Sequence, residues 1–146
     1  MSGLACIISI TLDTLRYREG SKMKQKFLIC RHCGNIVAVL RDKGVPICCC
    51  GEKMEELHPG ATEASGEKHI PVYEIVGNTV HVTVSATKHP MVEDHYIEWI
   101  CVETERGIQY VHLEPGDAPK AVFSLCEGDK VKTVYAFCNQ HGLWTK

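Results

Sequence analysis

The chain has 146 residues, enough for one ordinary domain or for a small domain joined to a larger one. A hydrophobic fraction of 45% with 23% charged residues indicates a folded protein, and it argues against a disordered one. The formal charge of −2 argues against a nucleic-acid binder that works by neutralising phosphates. Nine cysteines, five of them between Cys30 and Cys50, favour a metal framework over disulfides.

Residues 1–22 are predicted to form an extension outside the folded part of the chain. The apolar run Leu4–Ile10 is too short to cross a bilayer, and it lacks the charged start and the cleavage site of a signal peptide. The basic stretch Arg16–Lys26 that follows is typical of a solvated segment. We therefore expect a cytoplasmic protein that does not enter a membrane.

Residues 23–57 are predicted to be a small metal-binding domain of short strands and cysteine-bearing turns. Ile36–Leu40 is strand-like, and the turn Asp42-Lys43-Gly44 sends Val45–Ile47 back toward the second group of cysteines. The stretch Phe27–Cys50, about 24 residues, cannot bury a useful core, so we expect this unit to need a metal in order to fold.

The cysteines of this domain have the arrangement of a four-thiolate site. Cys30-Arg31-His32-Cys33-Gly34 is a knuckle that aims two sulfurs at one metal, and Cys48-Cys49-Cys50 must supply the other two. Four thiolates in a tetrahedron suit zinc or a single iron. A structural zinc ribbon is the alternative, although an adjacent second pair departs from the usual C-x-x-C spacing.

Residues 58–66 are small, polar and turn-rich, and they are predicted to be a linker. From residue 67 to 146 the pattern is all-β, which predicts an antiparallel sandwich of immunoglobulin-like type. The predicted strands are Val72–Val76, Val80–Ser85, Tyr96–Glu103, Ile108–Leu113, Ala121–Cys126 and Val131–Phe137. Cys101 and Cys126 fall inside these strands and are expected to be buried thiols.

Five potential ligands fall in the loops or strand ends of the predicted sandwich: His69, His89, His95, Cys138 and His141. A rigid sandwich can present such loops together, and Cys138 and His141 are close enough to reach one metal from a tight turn. Three other histidines are set aside, because His81 alternates onto a polar strand face and His58 and His112 have no partner at ligand spacing. Five donors exceed the four of a structural zinc site, so they would leave an open position on a six-coordinate metal.

Two sets of motifs identify the chain as similar to the two-iron desulfoferrodoxin family of superoxide reductases. The first, desulforedoxin-like, is Cys30-x-x-Cys33-Gly34-Asn35 with Cys49-Cys50-Gly51-Glu52. This register assigns Cys49 and Cys50 as ligands and leaves Cys48 spare, although Cys48 departs from the family pattern and leaves that choice open. The second set comprises Glu67-Lys68-His69-x-Pro71, His89-Pro90-Met91, His95-Tyr96-Ile97-Glu98-Trp99-Ile100 and Cys138-Asn139-x-His141-Gly142-Leu143-Trp144.

The resemblance implies two iron ions per chain, one relaying electrons at the four cysteines and one reducing superoxide to hydrogen peroxide. At the second iron, His69, His89, His95 and His141 would lie in a plane with Cys138 as the axial ligand. Lys68 would attract superoxide, and Glu67 would occupy the open position of the oxidised iron. Rubredoxin or a reductase is the implied electron donor, and a homodimer joined through the small domains is the implied assembly. A non-catalytic binding module and a simple electron carrier are the alternatives.

Overall fold

A computed structural model describes residues 24–60, 68–85 and 89–146. The predicted extension 1–22, Glu67 and most of the predicted linker lie outside these residues, and the predicted domain boundaries stay predictions. Within the described ranges every regular element of at least two residues is a β-strand, which confirms the all-β prediction. No helix in these ranges is long and apolar enough to cross a bilayer.

The N-terminal unit contains β1 (Lys26–Ile29), β2 (Ile36–Val39), β3 (Cys48–Cys49), β4 (Glu52–Lys53) and β5 (Glu55–Glu56). Strands β2, β1 and β5 form a three-stranded sheet in that order, and β3 and β4 form a small two-stranded ribbon in the segment between β2 and β5. Strand β2 ends one residue earlier than predicted, and the side chain of Leu40 is exposed.

The remaining strands form two antiparallel sheets. Sheet β10-β7-β6 contains β6 (Pro71–Val76), β7 (Thr79–Val84) and β10 (Lys120–Ser124). Sheet β12-β11-β8-β9 contains β8 (Ile97–Thr104), β9 (Ile108–His112), β11 (Val131–Cys138) and β12 (Gly142–Thr145). The turn between β6 and β7 is the predicted Gly77-Asn78, where Gly77 has a φ of 58° that a side chain would oppose.

The four-stranded sheet is covered on both faces. Its inner face packs against β7 and β10 in a core that includes Val80, Val82, Ile100 and Val134. Its outer face carries Trp99, Cys101, Tyr135, Phe137 and Leu143, and these residues pack against Phe27, Ile29 and Leu57 of the N-terminal unit. Because both faces of the sheet are covered, nearly every residue of its inner strand β8 is buried.

Two sequence predictions of local structure are wrong. A further strand, β12, follows His141, so His141 lies in a hairpin turn and not after the last strand. Cys126 lies beyond the end of β10 and is exposed, since Ser124 is the last residue that pairs with β7.

Candidate metal centres

The first centre comprises four cysteines whose sulfur atoms converge. Cys30, Cys33, Cys49 and Cys50 place their Sγ atoms within 4.8 Å of one another. The Sγ atoms of Cys33 and Cys49 are 3.6 Å apart, and those of Cys49 and Cys50 are 3.9 Å apart. Metal–sulfur bonds of about 2.3 Å in a tetrahedron require sulfur–sulfur separations of about 3.8 Å. The four sulfurs therefore fit one metal ion.

Two tight turns deliver these cysteines. In the first, the Gly34 N–H donates to the Cys30 carbonyl at 2.9 Å and the Cys30 N–H donates to the Asn35 carbonyl at 2.8 Å. In the second, Cys50 has a φ of 54° and Gly51 a φ of 81°, so the chain turns sharply enough for adjacent cysteines to face one point. Cys48 is exposed and lies outside the converging group, as the motif register predicts.

Cys30 and Cys50 differ in how readily they lose a proton. The backbone N–H of Cys33, the largest influence, lowers the pKa of Cys30 to about 7. Hydrogen bonding with the Cys33 side chain, followed by the other neighbouring thiols, raises the pKa of Cys50 to about 12. Once one thiol has lost its proton, the negative charge disfavours ionisation of its neighbour. A bound metal cation offsets this repulsion, and its binding displaces the remaining thiol protons.

The second centre is a square of imidazoles. The ring centroids of neighbouring histidines are 4.8 Å apart for His69–His89, 4.7 Å for His89–His95, 4.8 Å for His95–His141 and 4.6 Å for His141–His69. The separation of His69 and His95 is 6.3 Å, longer than the edges, as the diagonal of a square is. Neighbouring rings are inclined at 72–78° to one another. Four rings in this arrangement can direct one nitrogen each to a common point.

Cys138 supplies a sulfur to the same point. Its side chain is completely buried at the end of β11, and its Sγ lies 3.6 Å from Nδ1 of His141. The ligand atoms of Cys138, His69, His89 and His95 lie within 4.8 Å of one another. Burial raises the pKa of the Cys138 thiol, although the backbone N–H groups of Gln140 and His141 oppose this effect.

The imidazoles of His89 and His95 have the protonation state and the burial of metal ligands. Nδ1 of His89 donates to the Pro90 carbonyl at 2.5 Å, which leaves Nε2 unprotonated on the other side of the ring. The Nε2 atoms of His89 and His95 are buried and have no hydrogen-bond partner in the described part of the chain. Burial lowers the pKa of His89 to about 4 and also lowers that of His95, so both rings are neutral near pH 7. Buried, neutral and unpartnered nitrogens fit a metal ion.

The loop that carries His95 is tied to the turn that carries Cys138 and His141. Oδ1 of Asn139 accepts from the Tyr96 N–H at 3.0 Å, and its Nδ2 donates to the Asp94 carbonyl at 3.1 Å. The side-chain Nε2 of Gln140 donates to the same carbonyl at 2.7 Å. These bonds fix three candidate ligands of the second centre, His95, Cys138 and His141, relative to one another.

The remaining predicted residues lie as follows. Lys68 is exposed beside His69, and its charge contributes to lowering the pKa of His95. His58 and His112 are exposed, and His81 lies 3.0 Å from Oγ1 of Thr79, so none of the three joins a converging group. Two neighbours of the second centre belong to the last sequence motif, but the sequence assigns them no role: Asn139, which accepts from the Tyr96 N–H, and Trp144, whose indole stacks on His69.

Comparison with known proteins agrees with this architecture. The family model described as Desulfoferrodoxin matches residues 61–146. A desulfoferrodoxin of Nitratidesulfovibrio vulgaris is 46% identical over 116 residues, covering 79% of this chain and 90% of the relative. A desulfoferrodoxin homolog of Archaeoglobus fulgidus is 44% identical over 115 residues, covering 79% of this chain and 90% of that protein.

Among solved structures, the superoxide reductase from Treponema pallidum superimposes with a TM-score of 0.72 at 35% sequence identity. The match covers 84% of this chain and 97% of that one. The sequence motifs, both converging centres and these similarities lead to one conclusion. The chain belongs to the desulfoferrodoxin family.

Proposed function

We propose that this protein is a superoxide reductase, an oxidoreductase that converts superoxide, one electron and two protons into hydrogen peroxide. The observation that carries the proposal is the square of four imidazoles with a buried thiol beside it. Membership of the desulfoferrodoxin family and the likeness to the Treponema pallidum enzyme support it. A square of nitrogens with one sulfur does not match the closed tetrahedron of structural zinc.

Iron is the metal that we propose for both centres. His69, His89, His95, His141 and Cys138 would hold one ion, and Cys30, Cys33, Cys49 and Cys50 would hold the other. When bound at the second centre, ferrous iron would supply the electron for superoxide, and a thiolate ligand would favour that donation by adding electron density. The buried Cys138 sulfur, with N–H groups of Gln140 and His141 directed at it, is suited to this role.

Lys68 is the residue that we propose to guide the substrate. Its exposed ammonium group adjoins His69, and its charge is felt at His95, so a small anion would be drawn toward the square of imidazoles. Superoxide must also gain two protons before peroxide can leave, and a water molecule oriented by Lys68 would be a suitable donor. Glu67 adjoins Lys68 in sequence, and we propose that its carboxylate occupies the open side of the centre after the product leaves.

The partners and the location follow from the same proposal. An external donor such as rubredoxin or a reductase must return the electron, and the four-cysteine centre is placed as a relay in this scheme. We propose a cytoplasmic homodimer, because free thiols persist in a reducing compartment and the family resemblance implies a dimer. The alternatives, a zinc-containing binding module and a simple electron carrier, have no role for a five-donor centre.

Purification without oxygen, followed by metal analysis and a pulse of superoxide, tests the proposal. We expect two iron ions per chain, oxidation of one of them by superoxide, and peroxide without dioxygen. Cys138→Ser should remove the thiolate-to-iron absorption and the reaction with superoxide, because Cys138 is the one thiol among the described residues that converges on the second centre. Zinc in both centres, release of dioxygen, or full activity of the serine variant would contradict the proposal.

A further inference from the structure

An aromatic contact lies against one edge of the imidazole square. The indole of Trp144 stacks on the imidazole of His69 with the ring centroids 4.9 Å apart and the planes inclined by 21°. Trp144 is only 6% exposed. The four contacts between neighbouring imidazoles are, by contrast, edge-to-face. One ring of the square is therefore flanked by a large flat surface.

The hairpin that brings Cys138 and His141 to the centre also carries Trp144. Strand β12 pairs with β11 so that Gly142 lies opposite Cys138 and Trp144 lies opposite Ala136. Paired residues share one face of a sheet, and Ala136 and Cys138 belong to the inner core. Trp144 thus projects on the same face as the Cys138 thiol, and the hairpin links this thiol, the imidazole of His141 and the flank of the His69 imidazole.

Hydrogen bonding does not account for the position of the indole. Its Nε1 is buried and has no hydrogen-bond partner in the described residues. Buried tryptophans usually find an acceptor, and an unsatisfied buried donor costs about 1–3 kcal/mol. The unpartnered indole N–H therefore destabilises this position. We attribute the offsetting stabilisation to the packing of the ring face on His69.

The flanked histidine, like the other three of the square, lies outside the strands. His69 precedes β6, which begins at Pro71. A metal ligand must have its ring plane set before the ion arrives if binding is to be tight, and residues behind the ligands usually do this.

We propose that Trp144 is a positioning residue: its indole holds the imidazole of His69 in the plane that presents a nitrogen to the metal. Trp144 does not bind the metal or the substrate. The inference rests on the proposed function only in requiring that the five-donor centre bind a divalent metal. Replacement of the indole by a side chain without a flat ring should release the His69 ring and weaken metal binding.

Cobalt(II) titration of the metal-free full-length chain tests this role without any reaction with superoxide. The Cys33→Ser, Cys50→Ser background removes two ligands of the four-cysteine centre, so that the thiolate-to-cobalt absorption reports Cys138. In this background Trp144→Leu should weaken cobalt binding about 10–100-fold and alter the absorption band, the usual loss when a residue behind a metal ligand is removed. Trp144→Phe retains a flat ring and should restore most of the affinity.

Trp99→Leu is the matched control. Trp99 is 7% exposed and stacks on Phe137 at 5.3 Å, on the outer face of the same sheet. It should lower the unfolding free energy about as much as Trp144→Leu does, yet leave cobalt binding unchanged. Equal cobalt affinity in Trp144→Leu and its parent, or an equal loss in the Trp99 variant, would overturn the inference.

A substitute variant and an activity measurement complete the test. If Trp144→Leu does not fold, Trp144→Met replaces it with the same expected loss, because methionine fills space without a flat ring. Tight cobalt binding that weakens in this way, in a protein whose iron form does not reduce superoxide, would support the role of Trp144 while refuting the proposed function.

Discussion

At the scale of single residues, burial decides the protonation of the second centre. His89 is almost completely buried, and this burial, more than the neighbouring imidazoles, lowers its pKa to about 4. A neutral imidazole is the form that binds metal, so the fold excludes protons from the site over the range in which a free histidine would be charged. The same burial raises the pKa of Cys138, whose thiol must lose its proton when a metal binds.

This burial predicts a pH dependence of the metal-free protein. The pKa of His89 is about 4 when folded and 6.5 when unfolded, so between these values the unfolded chain binds the extra proton. The stabilisation is present above pH 6.5 and is lost as the pH falls toward 4, by about 2–3 kcal/mol. Urea unfolding of the metal-free chain at several pH values measures this loss. His89→Gln should flatten the dependence, whereas His81→Gln should not; identical slopes in all three proteins would refute the explanation.

The candidate ligands can be picked out from the sequence because they fall in short motifs. In the structure His69, His89, His95 and Cys138 converge, and Nδ1 of His141 lies 3.6 Å from the Cys138 sulfur. The supporting residues could not, because nothing in the sequence shows which side chain lies behind a ligand. Trp144 belongs to the last motif, but the motif does not show what its ring contacts, and only the pairing of β12 with β11 places that ring on His69. The exposure of Cys126 could not be predicted for a similar reason, since the end of β10 depends on its pairing with β7.

At the scale of elements, the β11–β12 hairpin organises the second centre. Its turn contains His141, its first strand ends with Cys138, and its second strand carries Trp144. The sequence indicates the strands on either side of Gly77-Asn78 clearly, because alternation and turn residues agree there. It indicates β12 poorly, because four residues are too few to show a period, and it does not reveal which strands share a sheet.

The link between this hairpin and the His95 loop should be measurable. Asn139→Ala removes one acceptor and one donor, and it leaves the Tyr96 N–H without the side-chain partner it has now. We expect a loss of about 1–3 kcal/mol in unfolding free energy, with weaker iron binding, since the ligand loops separate. Gln140→Ala removes one exposed bond to the same Asp94 carbonyl and should cost under about 1 kcal/mol. Comparable losses in the two variants would show that Asn139 does not join the loops.

At the scale of the whole molecule, the N-terminal unit is held by the sandwich as well as by its cysteines. The ring of Phe27 lies 5.1 Å from that of Trp99 and 5.3 Å from that of Tyr135. The buried carboxylate of Glu103 accepts from the Tyr135 hydroxyl at 2.9 Å and from the Gln25 N–H at 3.2 Å. Because a sequence does not show which faces meet, it predicts a unit that depends on its metal alone. The shared core gives the N-terminal unit a second source of stability.

The shared core predicts that the two centres can be separated functionally. Cys33 is exposed, and Cys33→Ser should empty the four-cysteine centre without disturbing Phe27 or Glu103. Iron analysis should then give one ion per chain, and the rate of superoxide reduction after chemical reduction should stay within about twofold of the parent, because the imidazole square lies on the other side of the shared core.

Phe27→Ala is the contrasting variant: it removes an aromatic anchor and should cost about 3–5 kcal/mol of unfolding free energy. A tenfold slower reaction in the Cys33 variant would mean that the first centre shapes the second through the sheet between them, and the N-terminal unit would then be part of the catalytic site and not only a relay.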